Sequence, residues 1–287
     1  MRKSVHIIYN PKAGGAKRKL VLSAAGKLEK LGMTVSIEET EGPNMAGAMA
    51  QRAESDILVA AGGDGTVREV IDGLAGSNKV LAIFPMGTAN VLAAEMGQKP
   101  DVDAVVNTIR YGVPRQLHLG LANDRYFAVM ASIGFDADVV ADVNLRLKNI
   151  IGKSAYLVAA FRKMISFRPH SFTLNIDGVD HRCGGAIIAN GQYYGGKFVC
   201  VPSARVTDAR LHACLLRASS RSDLLSYAYA LIRGNFPNCP GVEIVEGRTF
   251  RIEGPRAALQ ADGDIIGDTP ITITSESSQG LSLVMPA

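Results

Sequence analysis

The sequence predicts two units of different class: an α/β unit at the N-terminus, built on a doubly wound parallel sheet, and an antiparallel β-sandwich at the C-terminus. Strand-like and helix-like segments alternate over residues 1–120, the pattern of a parallel sheet covered by helices. Short apolar runs punctuated by Gly, Pro, Asn and Asp fill residues 121–287, the pattern of antiparallel strands. The length, 287 residues, exceeds the usual size of one domain, so each unit can bury its own core.

Taken in order, Ser4–Tyr9 is a strand, because its apolar residues run into Asn10-Pro11. Residues 18–31 read as a helix, 34–38 as a strand and 44–54 as a helix. Residues 56–60 are short, apolar and bounded by glycines, which marks a buried parallel strand, and 67–75 follow as a helix. Residues 80–84 are a strand, with helices after Thr88 and Asp101. Beyond Pro114, strands are expected at 116–121 and 126–132 and helices at 137–148 and 154–167. Further strands follow at 171–176, 184–189, Leu211–Leu216, Thr249–Glu253, 258–260, 271–274 and 281–285. The last of these either completes the sandwich or returns to the first sheet. Residues 222–232 read as an inserted helix with Ser222 as N-cap. With no repeat and no flexible linker, the boundary near residues 115–122 reads as a cleft rather than a tether.

In a parallel sheet, ligands bind beyond the C-terminal strand ends, and three loops there are unusual. They contain Asn10-Pro11-Lys12-Ala13-Gly14-Gly15, Gly62-Gly63-Asp64-Gly65-Thr66 and Pro85-Met86-Gly87-Thr88-Ala89-Asn90. The second joins a buried strand to a helix and is the natural seat of a phosphate, because the helix start offers unpaired N–H groups and the positive end of its dipole. Glycine lets a diphosphate lie against the main chain. Asp64 repels phosphate, so it reads as a metal partner or proton acceptor, unless the motif is only a tight turn with Asp64 near the N-cap.

Composition narrows the classes. A net charge of +4 is too small to imply nucleic acid. Basic residues gather at Lys12, Lys17, Arg18 and Lys19 and at Arg146, Lys148, Lys153, Arg162 and Lys163; most read as solvated helix faces, with one or two placed to meet phosphate from a nucleotide or an anionic lipid surface. Cys183, Cys200, Cys214 and Cys239 show neither C-x-x-C spacing nor neighbouring histidines, so they are expected to be reduced and packed. No stretch approaches the ~20 apolar residues that span a bilayer. The N-terminus lacks a signal-peptide core, giving an expectation of a cytoplasmic protein, at most peripheral to a membrane.

Several motifs occur in a fixed order: Asn10-Pro11-x-x-Gly14, Gly62-Gly63-Asp64-Gly65-Thr66-x-x-Glu69-Val70, Pro85-x-Gly87-Thr88-Ala89-Asn90, Gly134-Phe135-Asp136-Ala137, Lys148-x-x-x-Gly152-x-x-x-Tyr156, Asn190-Gly191 with Gly195-Gly196, and Asp262-Gly263-Asp264. In that order the chain resembles the diacylglycerol kinase catalytic family, which includes bacterial lipid kinases and sphingosine and ceramide kinases. The resemblance implies an N-terminal nucleotide-binding domain, a C-terminal lipid-binding sandwich with helical insertions, ATP and Mg²⁺ as cofactors, and a lipid hydroxyl at a membrane surface as acceptor. A homodimer is compatible with it.

Residue by residue, the resemblance makes Asn10, Pro11, Lys12, Gly14, Thr40, Gly62, Gly63, Gly65, Thr66, Glu69, Gly87, Thr88 and Lys148 candidates for nucleotide binding. Glu69 accepts from a ribose hydroxyl or else caps a neighbouring element. Thr40 contacts nucleotide or is a loop hydroxyl facing water. Asn90 is expected to tie loops together. Phosphoryl transfer needs charge neutralisation, alignment and a group to take the alcohol proton. Asp64 is the first candidate for the metal network, and Asp262 and Asp264 fall where the family has Asp-Gly-Glu with the glutamate as base. Aspartate is shorter by one methylene, about 1.5 Å, which either demands a closer approach or shifts the role to Asp64. Asp262-Gly263 is alternatively an ordinary hairpin turn.

Asp208 stands where many bacterial members hold a structural Mg²⁺ with Asp-Asp-Gly; Thr207 and Ala209 remove a charge and a glycine, so a weak or absent site is expected. Asp136 and Asp138 are candidates for the lipid head group, or alternatively favourable charges at a helix start. The stripe Tyr156, Ala159, Ala160, Lys163 and Met164 reads as core, with an acyl-chain pocket as the alternative. The rival functions are an NAD kinase, which shares Gly-Gly-Asp-Gly-Thr, and a non-catalytic nucleotide- or lipid-binding protein.

Overall fold

A computed structural model describes residues 3–13, 17–143, 154–217, 220–276 and 281–287. The chain divides into two compact units, one of residues 1–117, 195–197 and 277–287 and one of residues 118–194 and 198–276.

The first unit is built on strands β1 (Ser4–Tyr9), β2 (Thr34–Glu39), β3 (Ile57–Gly62), β4 (Val80–Pro85) and β5 (Val113–Gln116), joined by the C-terminal β20 (Ser282–Met285). They form a six-stranded sheet in the order β2-β1-β3-β4-β20-β5, parallel except for β5. The 281–285 run therefore belongs to this sheet and not to the sandwich: Ser282 and Leu283 pair with Val80 and Leu81. Helices α1 (Arg18–Lys30) and α5 (Val102–Tyr111) bury Val21, Ala24, Leu28, Val105 and Ile109 with Ile7, Tyr9, Val59 and Phe84 of the sheet. Helices α2 (Ala46–Arg52) and α3 (Asp64–Leu74) bury Met49, Ala50, Val70, Ile71 and Leu74. The central β3 is buried along its whole length, which is why it reads as a continuous apolar run.

Two glycines set how closely α2 and α3 pack. A Cβ on Gly73 would lie 2.2 Å from the Gly47 carbonyl oxygen, and one on Gly47 would lie 2.8 Å from that of Glu69. Helix α3 begins at Asp64, three residues before the sequence suggested, so the aspartate sits in the first helical turn; the short α4 (Val91–Glu95) follows β4.

Besides a two-stranded sheet in which β12 (Tyr193–Tyr194) pairs with β13 (Phe198–Val199), the second unit holds two antiparallel six-stranded sheets. One contains β6 (Leu119–Ala122), β7 (Arg125–Phe127), β9 (Phe172–Ile176), β10 (Val179–Cys183), β16 (Thr249–Glu253) and β19 (Ile271–Glu276), in the order β10-β9-β16-β19-β6-β7. The other contains β8 (Met130–Ile133), β11 (Gly185–Ala189), β14 (Leu211–Leu216), β15 (Val242–Gly247), β17 (Ala258–Ala261) and β18 (Asp264–Asp268), in the order β15-β14-β11-β8-β17-β18. Phe127, Phe172, Leu174, Phe250, Ile252 and Ile273 of the first sheet share a core with Ile133, Ile188, Leu211, Leu215 and Leu259 of the second. The four cysteines are free and buried, and burial pushes the Cys183 thiol up to about 11.

This unit also carries α6 (Phe135–Asp142), α7 (Ser154–Ile165) and α8 (Arg221–Ile232). The N-cap of α8 is Ser220 and not Ser222: Ser220 Oγ accepts from the Asp223 N–H (3.2 Å) while the Asp223 carboxylate accepts from the Ser220 N–H (2.9 Å). A reciprocal capping box outranks a lone hydroxyl two residues on. Gly14, Arg146, Lys148, Gly152 and Lys153 lie outside the described residues.

Candidate active site

In the first sheet the chain moves outward from β1 to β2, then returns to the other side of β1 as β3. A crevice opens outside the carboxyl ends of strands where the order reverses, here between β1 and β3. The Asn10 N–H donates to the Ala61 carbonyl (3.0 Å), so the loop after β1 runs beside the glycine loop after β3. A cavity of ≈ 270 Å³ occupies this position, lined by Asn10, Lys12, Ala13, Thr40, Gly42, Pro43, Gly63, Gly65, Thr66 and Glu69. Of the residues expected to bind nucleotide, the structure therefore gathers Asn10, Lys12, Thr40, Gly63, Gly65, Thr66 and Glu69 around one space.

Two kinds of glycine meet there. A Cβ on Gly62 would lie 2.5 Å from the Thr66 side chain, and one on Gly87 would lie 2.7 Å from the Gly63 Cα, so these positions need glycine for close packing. Gly65 has neither a positive φ nor any atom within 4 Å of where its Cβ would lie. It is a bare helical backbone facing the cavity. The N–H groups of Asp64, Gly65 and Thr66, in the first turn of α3, have no intrahelical acceptors and carry the positive end of the helix dipole. Lys12 brings the cationic side chain, and among the described residues it makes no ion pair.

Several polar side chains hold the walls. Asn10 Nδ2 donates to Thr66 Oγ1 (2.9 Å), and Asn10 Oδ1 accepts from the Lys12 N–H (3.0 Å), which fixes the turn through Pro11. That pairing ties the loop after β1 to the first turn of α3. The Glu69 carboxylate accepts from the N–H groups of Asn44 (2.9 Å) and Ala46 (3.1 Å), as the capping alternative expects; its oxygens anchor the start of α2 while one side lines the cavity. Thr40 is buried, with its N–H donating to the Tyr9 carbonyl (2.8 Å), and is not a loop hydroxyl in water. Thr88 is exposed and, like Pro11, Gly62 and Gly87, is not part of the lining.

Asp64 has a role that sequence reasoning missed. Its Oδ2 accepts from the Asn90 N–H (2.8 Å) and its Oδ1 from the Val91 N–H (2.6 Å), so the carboxylate caps the start of α4. Asn90 in turn closes the adjoining loop, Oδ1 accepting from the Gly87 N–H and Nδ2 donating to the Gly87 carbonyl, both at 2.9 Å. This is the loop-tying role expected of it. Asp64 is first an anchor between two glycine loops.

In the second unit, Asp262 and Gly263 have φ of 46° and 89° and form the two-residue turn between β17 and β18. The Asp262 carboxylate accepts from the N–H groups of Ala128 (2.7 Å), Val129 and Met130 (both 3.0 Å). The hairpin-turn reading of Asp262 matches this geometry, and its carboxylate ties the turn to residues 128–130. Asp264, exposed at the first position of β18, faces Ala261 across the hairpin.

Asp136 accepts from Ser132 Oγ, Tyr194 Oη and Gln260 Nε2, the last at 3.1 Å, while Gln260 Oε1 accepts from the Gly263 N–H (2.9 Å). Three protein donors engage it, which makes it part of the scaffold beneath the 262–264 turn. Asp138 pairs with His170 Nε2 (3.0 Å) and lines a second cavity of ≈ 200 Å³ with Phe135, Lys163, Ser166, Phe167, Arg168 and His170. Asp208 is exposed, its N–H donating to the Arg205 carbonyl (2.9 Å), and among the described residues no three His, Cys, Asp or Glu side chains form a metal-holding group. Burial holds the neighbouring His118 and His212 imidazoles below the usual histidine range, partly opposed by the charge of Asp208 and, for His212, Glu246.

Comparisons with known proteins decide what this geometry belongs to. Residues 4–122 match the diacylglycerol kinase catalytic domain, and residues 129–285, more than half of the chain, match the YegS C-terminal NAD kinase beta sandwich-like domain. The chain belongs to the diacylglycerol kinase catalytic family. Family relatives include a diacylglycerol kinase of Bacillus subtilis, 27% identical over 93% of this chain and 92% of its own length. Another is a diacylglycerol kinase of Staphylococcus epidermidis, 29% identical over 94% of this chain and 88% of its own. A crystal structure of a diacylglycerol kinase from Bacillus anthracis shares the fold, with a TM-score of 0.79 at 21% identity over 99% and 97% of the two chains. The catalytic-domain match spans the whole ≈ 270 Å³ cavity, and the sandwich match spans the 262–264 turn and Asp138.

Proposed function

We propose that this ATP-dependent lipid kinase transfers the γ-phosphoryl group to the free hydroxyl of a diacylglycerol-type lipid, with ATP phosphates seated at the β1/β3 crevice. The observation that carries the reading is Gly65: its bare backbone faces a cavity that also presents Lys12 and the start of α3. A phosphate there meets N–H groups, a helix dipole and an ammonium. Thr40, Thr66 and the walls fixed by Asn10 and Glu69 set the nucleotide's orientation.

Mg²⁺ fits as a cation carried by the nucleotide. It keeps several waters and takes one or two carboxylates besides phosphates, so the donor set needs no dedicated cage. Asp64 is the carboxylate beside the glycine loop, and each of its oxygens retains a lone pair beyond the N–H it accepts. Bound there, Mg²⁺ supplies charge neutralisation on the transferring group. Asp262 holds the turn, Asp264 accepts the alcohol proton, and Asp138 with His170 orients the acceptor.

Labelled ATP offered with a panel of lipids tests this. Transfer to diacylglycerol by wild type, with loss in Asp264→Asn at unchanged nucleotide binding, is the expected result. Formation of NADP from NAD, or nucleotide binding without transfer to any lipid, would replace the reading by one of its rivals.

A further inference from the structure

Three motifs of the chain take no part in the transfer as described above: Gly134-Phe135-Asp136-Ala137, Asn190-Gly191 and Gly195-Gly196. Their polar side chains and those of their neighbours lead to one place. Gly134, at a φ of 85°, turns β8 directly into α6, so Asp136 in the first turn of that helix returns over Ser132 of β8. Gly195 and Gly196, with φ of 58° and 143°, follow directly on Tyr194 of β12, whose Oη donates to Asp136 Oδ1. Asn190, fully buried, donates through Nδ2 to the carbonyls of His118 (2.8 Å) and Ala128 (2.7 Å). The Ala128 N–H in turn donates to Asp262, the first residue of the 262–264 turn.

The longer of these routes is a hydrogen-bond chain with a single direction. Ser132 and Gln260 face each other on β8 and β17, and both are buried. Ser132 Oγ gives its one hydrogen to Asp136 Oδ2, and Gln260 Nε2 gives its two to Ser132 Oγ (2.8 Å) and Asp136 Oδ2 (3.1 Å). A carboxylate offers only acceptors, so the Gln260 amide has one orientation. Its Nε2 faces Asp136, and its Oε1 faces the other way, where it accepts from the Gly263 N–H (2.9 Å). An apolar pair would fill two facing core positions without any such matching. What the polar pair adds is a fixed Gly263, the residue next to Asp264.

We infer that Tyr194, Asp136 and Gln260 are positioning residues: the chain they form holds the 262–264 turn so that the Asp264 carboxylate meets the acceptor hydroxyl. This rests on Asp264 as proton acceptor, as proposed above. Proton transfer needs hydrogen-bond reach, so a turn that drifts by about 1 Å loses rate with its carboxylate intact.

The test is transfer from labelled ATP to diacylglycerol by Tyr194→Phe, Asp136→Asn and Gln260→Met, with amide hydrogen exchange at Gly263 followed by NMR in the same full-length proteins. Tyr194→Phe keeps the ring and leaves Asp136 two donors, so it answers the question should the buried substitutions prevent folding. Expected are a kcat about tenfold or more below wild type at an unaltered KM for ATP, and exchange at Gly263 about tenfold faster. Asp136→Asn should show the largest change, because an amide there lets Gln260 turn its NH2 toward the Gly263 N–H. Added to Asp264→Asn, Tyr194→Phe should cost no further rate, since the chain acts through that carboxylate. Wild-type turnover in Tyr194→Phe overturns the inference, as does lost turnover with unchanged exchange at Gly263, or a loss that multiplies in full with that of Asp264→Asn. Should wild type transfer nothing, or Asp264→Asn keep its full kcat, the reading of Asp264 as proton acceptor falls. Faster exchange at Gly263 in the three variants then keeps the chain as the hold on the turn, and unchanged exchange removes that too.

Discussion

The loop at 62–66 and the turn at 262–264 look alike in sequence, each carrying an Asp-Gly step, and the structure gives them opposite logic. In the first, Asp64 is anchored by two backbone N–H groups, Gly62 is required by the packing of Thr66, and Gly65 has no structural need to be glycine. In the second, Asp262 and Gly263 are both explained by the hairpin itself, through left-handed backbone and three N–H donors. Folding gives Gly65 in the one no need to be glycine, while in the other Asp264 is exposed at the start of β18. Function is best sought in the residues that folding does not require.

The contrast can be broken by substitution. The largest stability effect is expected at Asp262→Ala, which strands three N–H donors and puts alanine at a positive φ, at a cost of about 3–5 kcal/mol in urea unfolding. A small loss would mean that water replaces the carboxylate and that the turn is not held as described. Asp264→Asn should lower kcat roughly 10²–10⁴-fold. An undiminished kcat returns the proton-acceptor role to another group. Gly87→Ala, which forces a Cβ against the Gly63 backbone, should cost about 1–3 kcal/mol, and a neutral result would show that the two glycine loops can separate.

Asp64→Asn keeps one carbonyl acceptor for the start of α4, so a loss of about 1–2 kcal/mol is expected together with loss of turnover. Unfolding intact and turnover unchanged would make Asp64 neither anchor nor metal partner. The smallest effect is pH dependence in the sandwich unit. His118 and His212 are held below the ordinary histidine range by burial, so the unfolded chain binds protons that the folded one resists. Their contribution is complete above about pH 6.5 and is lost as pH falls through the lower folded values. His212→Gln should flatten that acid slope in thermal unfolding scans, and an unaltered slope would assign it elsewhere.

The strands with strong apolar character were legible: Ser4–Tyr9, Leu211–Leu216 and Thr249–Glu253 have the bounds that the residues suggest. Those missed, β5, β10, β12, β13, β15 and β18, are all outermost in their sheets. Edge strands carry charged and exposed residues, as Asp180, His181 and Arg182 do in β10, and so lose the alternation by which a strand is read. The cavity was legible because its residues are local to strand ends. The cavity-lining Gly42 and Pro43 were not singled out, although Gly-Pro just after the second strand is a turn signal at a ligand-binding edge. The anchoring bonds of Asp64, Glu69 and Asp262 were out of reach, since each joins a carboxylate to backbone 23 or more positions away. Sequence spacing carries no trace of such bonds.

Titration of Gly65→Ala with ATP, paired with its thermal unfolding, tests the central claim most directly. The account expects stability unchanged or raised by up to about 1 kcal/mol, as alanine favours the helix, with ATP affinity reduced about tenfold or more by a methyl group placed where a phosphate meets the backbone. Equal affinity for ATP in the folded variant would contradict it, because the phosphates would then lie elsewhere than at the start of α3.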